Sequence, residues 1–313
     1  MKRSLANSSV RVNKYIVNKD QIKKVVYFLG KSLGVLGLVF VFYKLSQEYT
    51  LSTFLSQLSL FTSTIPMLLM LNSASTLLGI YAWHIMLLNY AKEPLSYRTS
   101  YYYFAKTEIS KYLPGNVFHF IGRQVLASKI GITQGEMAKI SILFSFLLLV
   151  ATVIASTVFA FLATAIPPYL LTLMGISCII IIIIAAYLYP SFPVREKVNM
   201  NLLLFFSVAL QGIMLGMIMM VQSDHFTAGI FFECVSIYIV SWLIGFITPG
   251  ASGGLGIREG TFIAIAAFMH LDIAAEIIIF SVLLVRFINI IIDIAMYLST
   301  FVLKNNINKL KGK

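Results

Sequence analysis

Long apolar runs recur along the chain, and short stretches between them hold most of the charges. The runs fall at about 25–43, 65–89, 137–165, 169–189, 202–222 and 274–303. A helix rises about 1.5 Å per residue, so each run is long enough to cross a hydrocarbon core about 30 Å thick. Local signals agree with the boundaries. Thr133-Gln134-Gly135-Glu136 is a capping box at the start of the third run, and Pro167-Pro168 turns the chain before the fourth.

Two segments, 98–131 and 229–270, interrupt this pattern. Each reads as two short helical stretches parted by Pro-Gly: Pro114-Gly115 in the first and Pro249-Gly250 in the second, the latter followed by Gly253, Gly254 and Gly256. Proline removes a backbone donor and glycine admits left-handed backbone, so each site should break a helix. Broken backbone at membrane depth survives only where protein buries it or where it lines a wet cavity. Both segments are therefore expected to be re-entrant hairpins.

The two breaks correspond in position. Arg123 stands eight residues beyond Gly115, Arg258 stands eight beyond Gly250, and the two prolines are 135 residues apart. The runs at 65–89 and 202–222 precede their breaks by similar distances. Three crossings separate the start of one unit from the start of the next, and an odd number reverses orientation. The expected fold is all-α and polytopic: about six full transmembrane helices plus two Pro-Gly-broken hairpins in an inverted repeat, with eight crossings if the hairpin arms span. Its halves would cover about 65–190 and 202–303 of a membrane domain at 25–303. Chance recurrence of Pro-Gly is the competing explanation. Broken helices at corresponding positions of inverted repeats point to a transporter site near the midplane.

Composition fits this class. Hydrophobic residues make up 59% and charged residues 12%, about half the charged share of a soluble domain. The net charge of +12 does not imply nucleic acid, because the basic residues gather in the tails at 1–24 and 304–313 and in alternate loops. That distribution predicts both termini cytoplasmic in a bacterial inner membrane. The first run follows a long polar stretch and lacks a small-x-small site, so it is not expected to be a cleaved signal. Neither Cys178 nor Cys234 has a metal-ligand spacing, and His84, His119, His225 and His270 are scattered. No metal and no cofactor are expected.

Several polar residues fall where charge is costly. Arg258 and Glu259 open a helix after a glycine-rich turn, an arrangement able to cradle phosphate; the alternative is that they only hold the hairpin together. Lys111, Glu108 and Arg123 form the equivalent group in the first hairpin, with a solvated interfacial face as the alternative. Arg286, Asn289 and Asp293 share one face of the last run, and Arg286 falls near the bilayer centre. That face could meet a ligand or hold an internal Arg–Asp pair. Tyr101 to Phe104 reads as an interfacial aromatic belt, and His84 and His119 read as hydrogen-bonded helix residues. Gly250-Ala251-Ser252-Gly253-Gly254 fits a serine-hydrolase turn, but no histidine is placed by spacing to serve Ser252.

Lys111-Tyr112-Leu113-Pro114-Gly115 with Gly122-Arg123, then Pro249-Gly250 with Gly253 to Gly260 around Arg258-Glu259, then Arg286, resembles the lysylphosphatidylglycerol synthase transmembrane-region family. The resemblance covers about 25–303 and implies a flippase-like lipid transport function. On it, Pro114, Gly115, Arg123, Pro249, Gly250, Gly256, Arg258, Glu259 and Arg286 are the positions that matter. The aminoacyl-transferase domain of the bifunctional members has no counterpart in this sequence, so aminoacyl transfer is not expected of it. The partners implied are membrane lipids: an anionic phospholipid, a glycolipid or a polyprenyl-phosphate lipid. An accessory protein for a separate glycosyltransferase is the second expectation, and an intramembrane serine hydrolase the third.

Overall fold

Apolar runs without a preferred polar face become helices wherever the backbone must satisfy itself in lipid. A computed structural model describes residues 56–91, 94–112, 118–164, 166–188, 192–223, 226–248, 254 and 256–311. Among them there are helices and no strands. In chain order these are α1 (Ile65–Leu88), α2 (Tyr97–Glu108), α3 (Phe118–Ala127), α4 (Gln134–Leu162), α5 (Pro168–Leu188), α6 (Val194–Val221), α7 (Ala228–Ile247), α8 (Ile257–Phe268) and α9 (Ala275–Lys311). Short 3-10 turns extend α2 over Ile109–Tyr112 and α3 over Ser128–Ile130.

Helix starts follow local chemistry. The Thr133 hydroxyl accepts from the Glu136 amide, and the Glu136 carboxylate accepts from the Thr133 amide at 2.9 Å, so the predicted capping box forms. The Ser96 and Thr227 hydroxyls cap α2 and α7 by accepting from the amides of Thr99 and Ile230. The glycine-rich turn ends with Gly254 at φ +70° and Gly256 at φ +76°, in the left-handed region where a Cβ is strained. Pro114, Gly115, Pro249, Gly250, Ser252 and Gly253 lie outside the described residues.

Among the described residues, six helices are long and apolar enough to cross a membrane: α1, α4, α5, α6, α7 and α9 as far as Leu303. The chain is a multi-pass membrane protein. Five of the six expected runs fall within the described residues, and all five are spans. The run at 25–43 lies outside the described residues, and α7 takes a place among the spans. The segment 229–270 was expected to form two short stretches, but the break falls late in it. The arm before the break is a 20-residue helix of mean hydropathy 2.1, about 30 Å long, and only α8, at 12 residues, is short. Both arms of the first broken segment are short, at 12 and 10 residues. α9 also outruns its predicted end at 303 and continues to Lys311.

The helices pack around α6. It crosses α1 and lies against α4, α7 and α9. α9 also meets α1, α2 and α8, while α4 meets α1, α3 and α7. α5 packs on α4, and its most apolar window has no buried residue. At the α1–α6 crossing the hydroxyls of Ser75 and Ser207 each donate to the other residue's carbonyl, both at 2.8 Å. Two apolar clusters flank this crossing. One gathers Phe61, Met214, Val235, Phe262 and Phe280; the other gathers Trp83, Phe104, Ile140, Met200 and Met296.

Candidate functional site

The two broken segments and α9 enclose one cavity of about 610 Å³. Its polar wall carries Glu108, Lys111, His119 and Arg123 from the first broken segment, Arg258 from the second, and Arg286, Asn289 and Asp293 from α9. Leu148, Leu204, Val208, Phe280 and Ile290 supply an apolar wall. A pocket of this size, with a few convergent charges on an apolar background, suits a small amphiphilic guest.

The charges form two clusters. In the first, the Arg123 guanidinium meets Glu108 at 2.8 Å, and Lys111 bridges Glu108 at 3.2 Å and Asp293 at 2.7 Å. Arg123 is only 7% exposed. Its guanidinium lies 4.5 Å from the ring centre of Trp83 and 4.7 Å from that of Phe104, so aromatic faces replace part of its lost hydration. In the second cluster, Arg286 meets Glu259 at 2.9 Å and donates to the Gly254 carbonyl at 2.7 Å. Arg258 lies 5.3 Å from the ring centre of Trp242. Its stem crosses α7 at Gly245, where a Cβ would stand 2.6 Å from Arg258 Cγ. Gly254 is equally confined, because a Cβ there would lie 2.9 Å from Arg258 Nε and 3.0 Å from the Gly245 backbone.

Both anticipated groups therefore assemble, but the pairing on α9 differs from the alternative read from spacing. Arg286 and Asp293 do not pair with each other. Two turns separate them, so each reaches a different broken segment: Arg286 goes to Glu259 and Asp293 to Lys111. The solvated-face alternative for Arg123 also fails, since Arg123 is buried. Glu259 is fully buried as the counter-charge of Arg286, behind the cavity wall. Asn289 accepts a hydrogen bond from the Asn72 side chain, which ties α9 to α1.

Some residues of the site gave no signal in the sequence. Phe104 belongs to the Tyr101–Phe104 cluster, but it is buried against Arg123 instead of facing an interface. Trp83 and Trp242 are the chain's two tryptophans, and each lies beside one of the two corresponding arginines. Tryptophan scarcity together with matched arginines could have suggested that pairing. His84 is hydrogen-bonded as expected, to Ser100 at 2.8 Å. His119 is not: its Nδ1 has no hydrogen-bond partner among the described residues.

Two of these groups, outside the six spans, are displaced in their proton affinity. Burial would raise the Glu108 carboxyl, but Lys111 and Arg123 outweigh it and hold the group at about 2. Burial lowers His119 to about 4; Glu108 opposes this, while Arg123 and Lys111 add to it. Among the described residues, Lys111, Arg123, Arg258 and Arg286 meet Glu108, Asp293 and Glu259 at this site. No family model matches the chain, and no characterised protein matches it in sequence.

Proposed function

We propose that this protein is a flippase-like lipid transporter whose cavity takes the phosphate of an anionic lipid while the acyl chains stay in the bilayer. The observation that carries this reading is convergence. Arg123 and Arg258, each eight residues past its Pro-Gly, and Arg286 line one cavity that also has an apolar wall. Guanidinium groups held away from bulk water are best satisfied by anions. Phosphate is well suited to a guanidinium fork.

The inverted repeat belongs to the same proposal, with α1 to α4 and α6 to α9 as its two units. Packing supports it. Exchanging α1 with α6, α2 with α7, α3 with α8 and α4 with α9 turns each helix pairing among these eight into another that the fold contains. α5 is the extra crossing that reverses the second unit. The reciprocal Ser75–Ser207 hydrogen bonds have the form expected on a two-fold axis, where i touches j as j touches i. The short arms of the broken segments would enter from opposite faces and bring their arginines to the midplane, as in transporters built from inverted repeats.

The test is translocation of fluorescently labelled phosphatidylglycerol in proteoliposomes, read by dithionite quenching of the outer leaflet. Arg258→Ala and Arg123→Ala should each slow it at least tenfold, as losing a charge-assisted phosphate contact implies. Both variants should elute as the wild type does on size exclusion. Unchanged rates in both would remove the mechanism. A wild-type protein that moves no lipid but co-purifies with a glycosyltransferase would instead support an accessory role.

A further inference from the structure

Charged side chains are only part of the cavity's polar surface. Six neutral ones also line it: Ser75 and Thr76 on α1, Ser145 on α4, Ser207 and Gln211 on α6, and Asn289 on α9. All six stand on helices long and apolar enough to span. Polar groups are costly at that depth unless something pairs with them, and none of these six carries the charge that a phosphate calls for.

Their place is set by α9. Arg286 belongs to one charged cluster and Asp293 to the other, and Asn289 sits between them, about one turn from each, on a stretch about 10 Å long. The Asn289 side-chain oxygen accepts from Asn72, which joins this level to α1. Ser75 and Thr76 follow Asn72 by one turn, and Ser75 is tied to α6 through Ser207 and Gln211. A neutral hydrogen-bonding band therefore runs from α9 across α1 to α6.

The bonds already made fix what this band can offer. The Ser207 hydroxyl donates to the Ser75 carbonyl at 2.8 Å and the Thr76 hydroxyl to the Asn72 carbonyl at 2.9 Å, so each keeps lone pairs but has no proton to spare. Gln211 donates one N–H to the Ser75 hydroxyl at 3.2 Å and keeps a second N–H and its carbonyl oxygen. Asn289 uses its oxygen on Asn72 and keeps its amide protons, and Ser145 adds a hydroxyl. Donors and acceptors are mixed and uncharged. A hydroxyl group both donates and accepts, so it matches such a surface. An ammonium only donates, and the carboxylates on the cavity wall, Glu108 and Asp293, lie in the first cluster with Lys111. A trimethylammonium does neither, and would displace water from the band without replacing its hydrogen bonds.

We propose that the band recognises an uncharged, hydroxyl-bearing headgroup, glycerol or a sugar, carried beyond the lipid phosphate. This inference rests on the lipid-transport reading and names the class of cargo within it. The phosphate charge holds the lipid in the cavity, and the hydroxyls distinguish it from amine-bearing lipids. The space suffices: about 610 Å³ equals roughly twenty waters at about 30 Å³ each, well beyond what a phosphate occupies.

The full-length protein in detergent is titrated with soluble dihexanoyl lipids and followed by tryptophan emission, since Trp242 lines the cavity. Phosphatidylglycerol and phosphatidylmethanol carry the same phosphodiester charge, but only the first has headgroup hydroxyls. Phosphatidylglycerol should bind about tenfold tighter, the product of two hydroxyls contributing roughly threefold each. Phosphatidylethanolamine should bind more weakly than phosphatidylglycerol. Phosphatidylinositol separates the two sources of hydroxyls: binding at least as tight as phosphatidylglycerol assigns a sugar-like ring, and weaker binding assigns glycerol. In Ser145→Ala/Gln211→Met, eluting as the wild type does on size exclusion, the preference for phosphatidylglycerol over phosphatidylmethanol should fall to within about twofold of unity. The ligand series on the wild type needs no variant to be decisive. Equal affinity for phosphatidylglycerol and phosphatidylmethanol, or phosphatidylethanolamine bound as tightly as phosphatidylglycerol, overturns hydroxyl recognition and leaves lipid transport standing. A full preference that survives in the folded double variant overturns the role of the band. No change of emission with any of these lipids takes down the transport reading and the inference with it.

Discussion

Glu259→Gln isolates the ion pair that anchors the second broken segment to α9. Glu259 and Arg286 meet at 2.9 Å with side chains 1% and 12% exposed. At an effective dielectric near 20, two unit charges at that distance attract by about 6 kcal/mol. Glutamine keeps an acceptor for the guanidinium, so part of this survives, while Arg286 loses its counter-charge in a dry environment. Breaking a buried pair from one side costs about 3–5 kcal/mol. In a chain of this size each kcal/mol lowers the melting temperature by roughly 2 °C, so the variant should melt roughly 6–10 °C below the wild type in the same detergent, read by intrinsic tryptophan fluorescence. The double variant Glu259→Gln/Arg286→Gln removes both charges and should recover part of the loss, with a coupling energy of at least about 2 kcal/mol. A single variant that melts with the wild type, or a double variant whose loss is the sum of the two single losses, would refute the claim that Glu259 neutralises Arg286.

Two further predictions follow from the packing. Gly254→Ala should place a methyl group at φ +70° and 2.9 Å from Arg258 Nε, pushing the guanidinium off Trp242; the tryptophan emission of a Trp83→Phe background should shift, and stability should fall by at least about 1–2 kcal/mol. Ser207→Ala removes one of the two reciprocal bonds at the α1–α6 crossing, and a loss of about 0.6–1.7 kcal/mol in detergent-denaturation midpoints is expected from hydrogen bonds between membrane helices.

Much of the architecture was legible because its causes are local. The spans announce themselves by length and apolarity, the capping box by four residues, and the glycine turn by its composition. The equal spacing of Arg123 and Arg258 from their Pro-Gly pairs needed only counting. The α7 span was missed because attention to Pro249-Gly250 divided a segment whose first arm is full length. The aromatic belt reading of Phe104 failed for a related reason: four consecutive helical residues point in different directions, so one of them can face the core while its neighbours do not.

By itself, then, the sequence determined that the chain lives in a bilayer, where most of its helices begin and end, and which polar residues lie at a depth that demands an explanation. Tertiary structure alone decided which charges neutralise one another. Lys111 finds Asp293 on the last helix, Asn72 finds Asn289, and Arg286 passes over its own helix neighbour to reach Glu259. The physical reason is that helix periodicity fixes a face but not what stands opposite it. In a membrane the inner and outer faces are nearly equally apolar, so hydrophobicity cannot mark which side of a helix turns inward. Only the packed bundle, by bringing helices from both broken segments to one cavity, selects the partners.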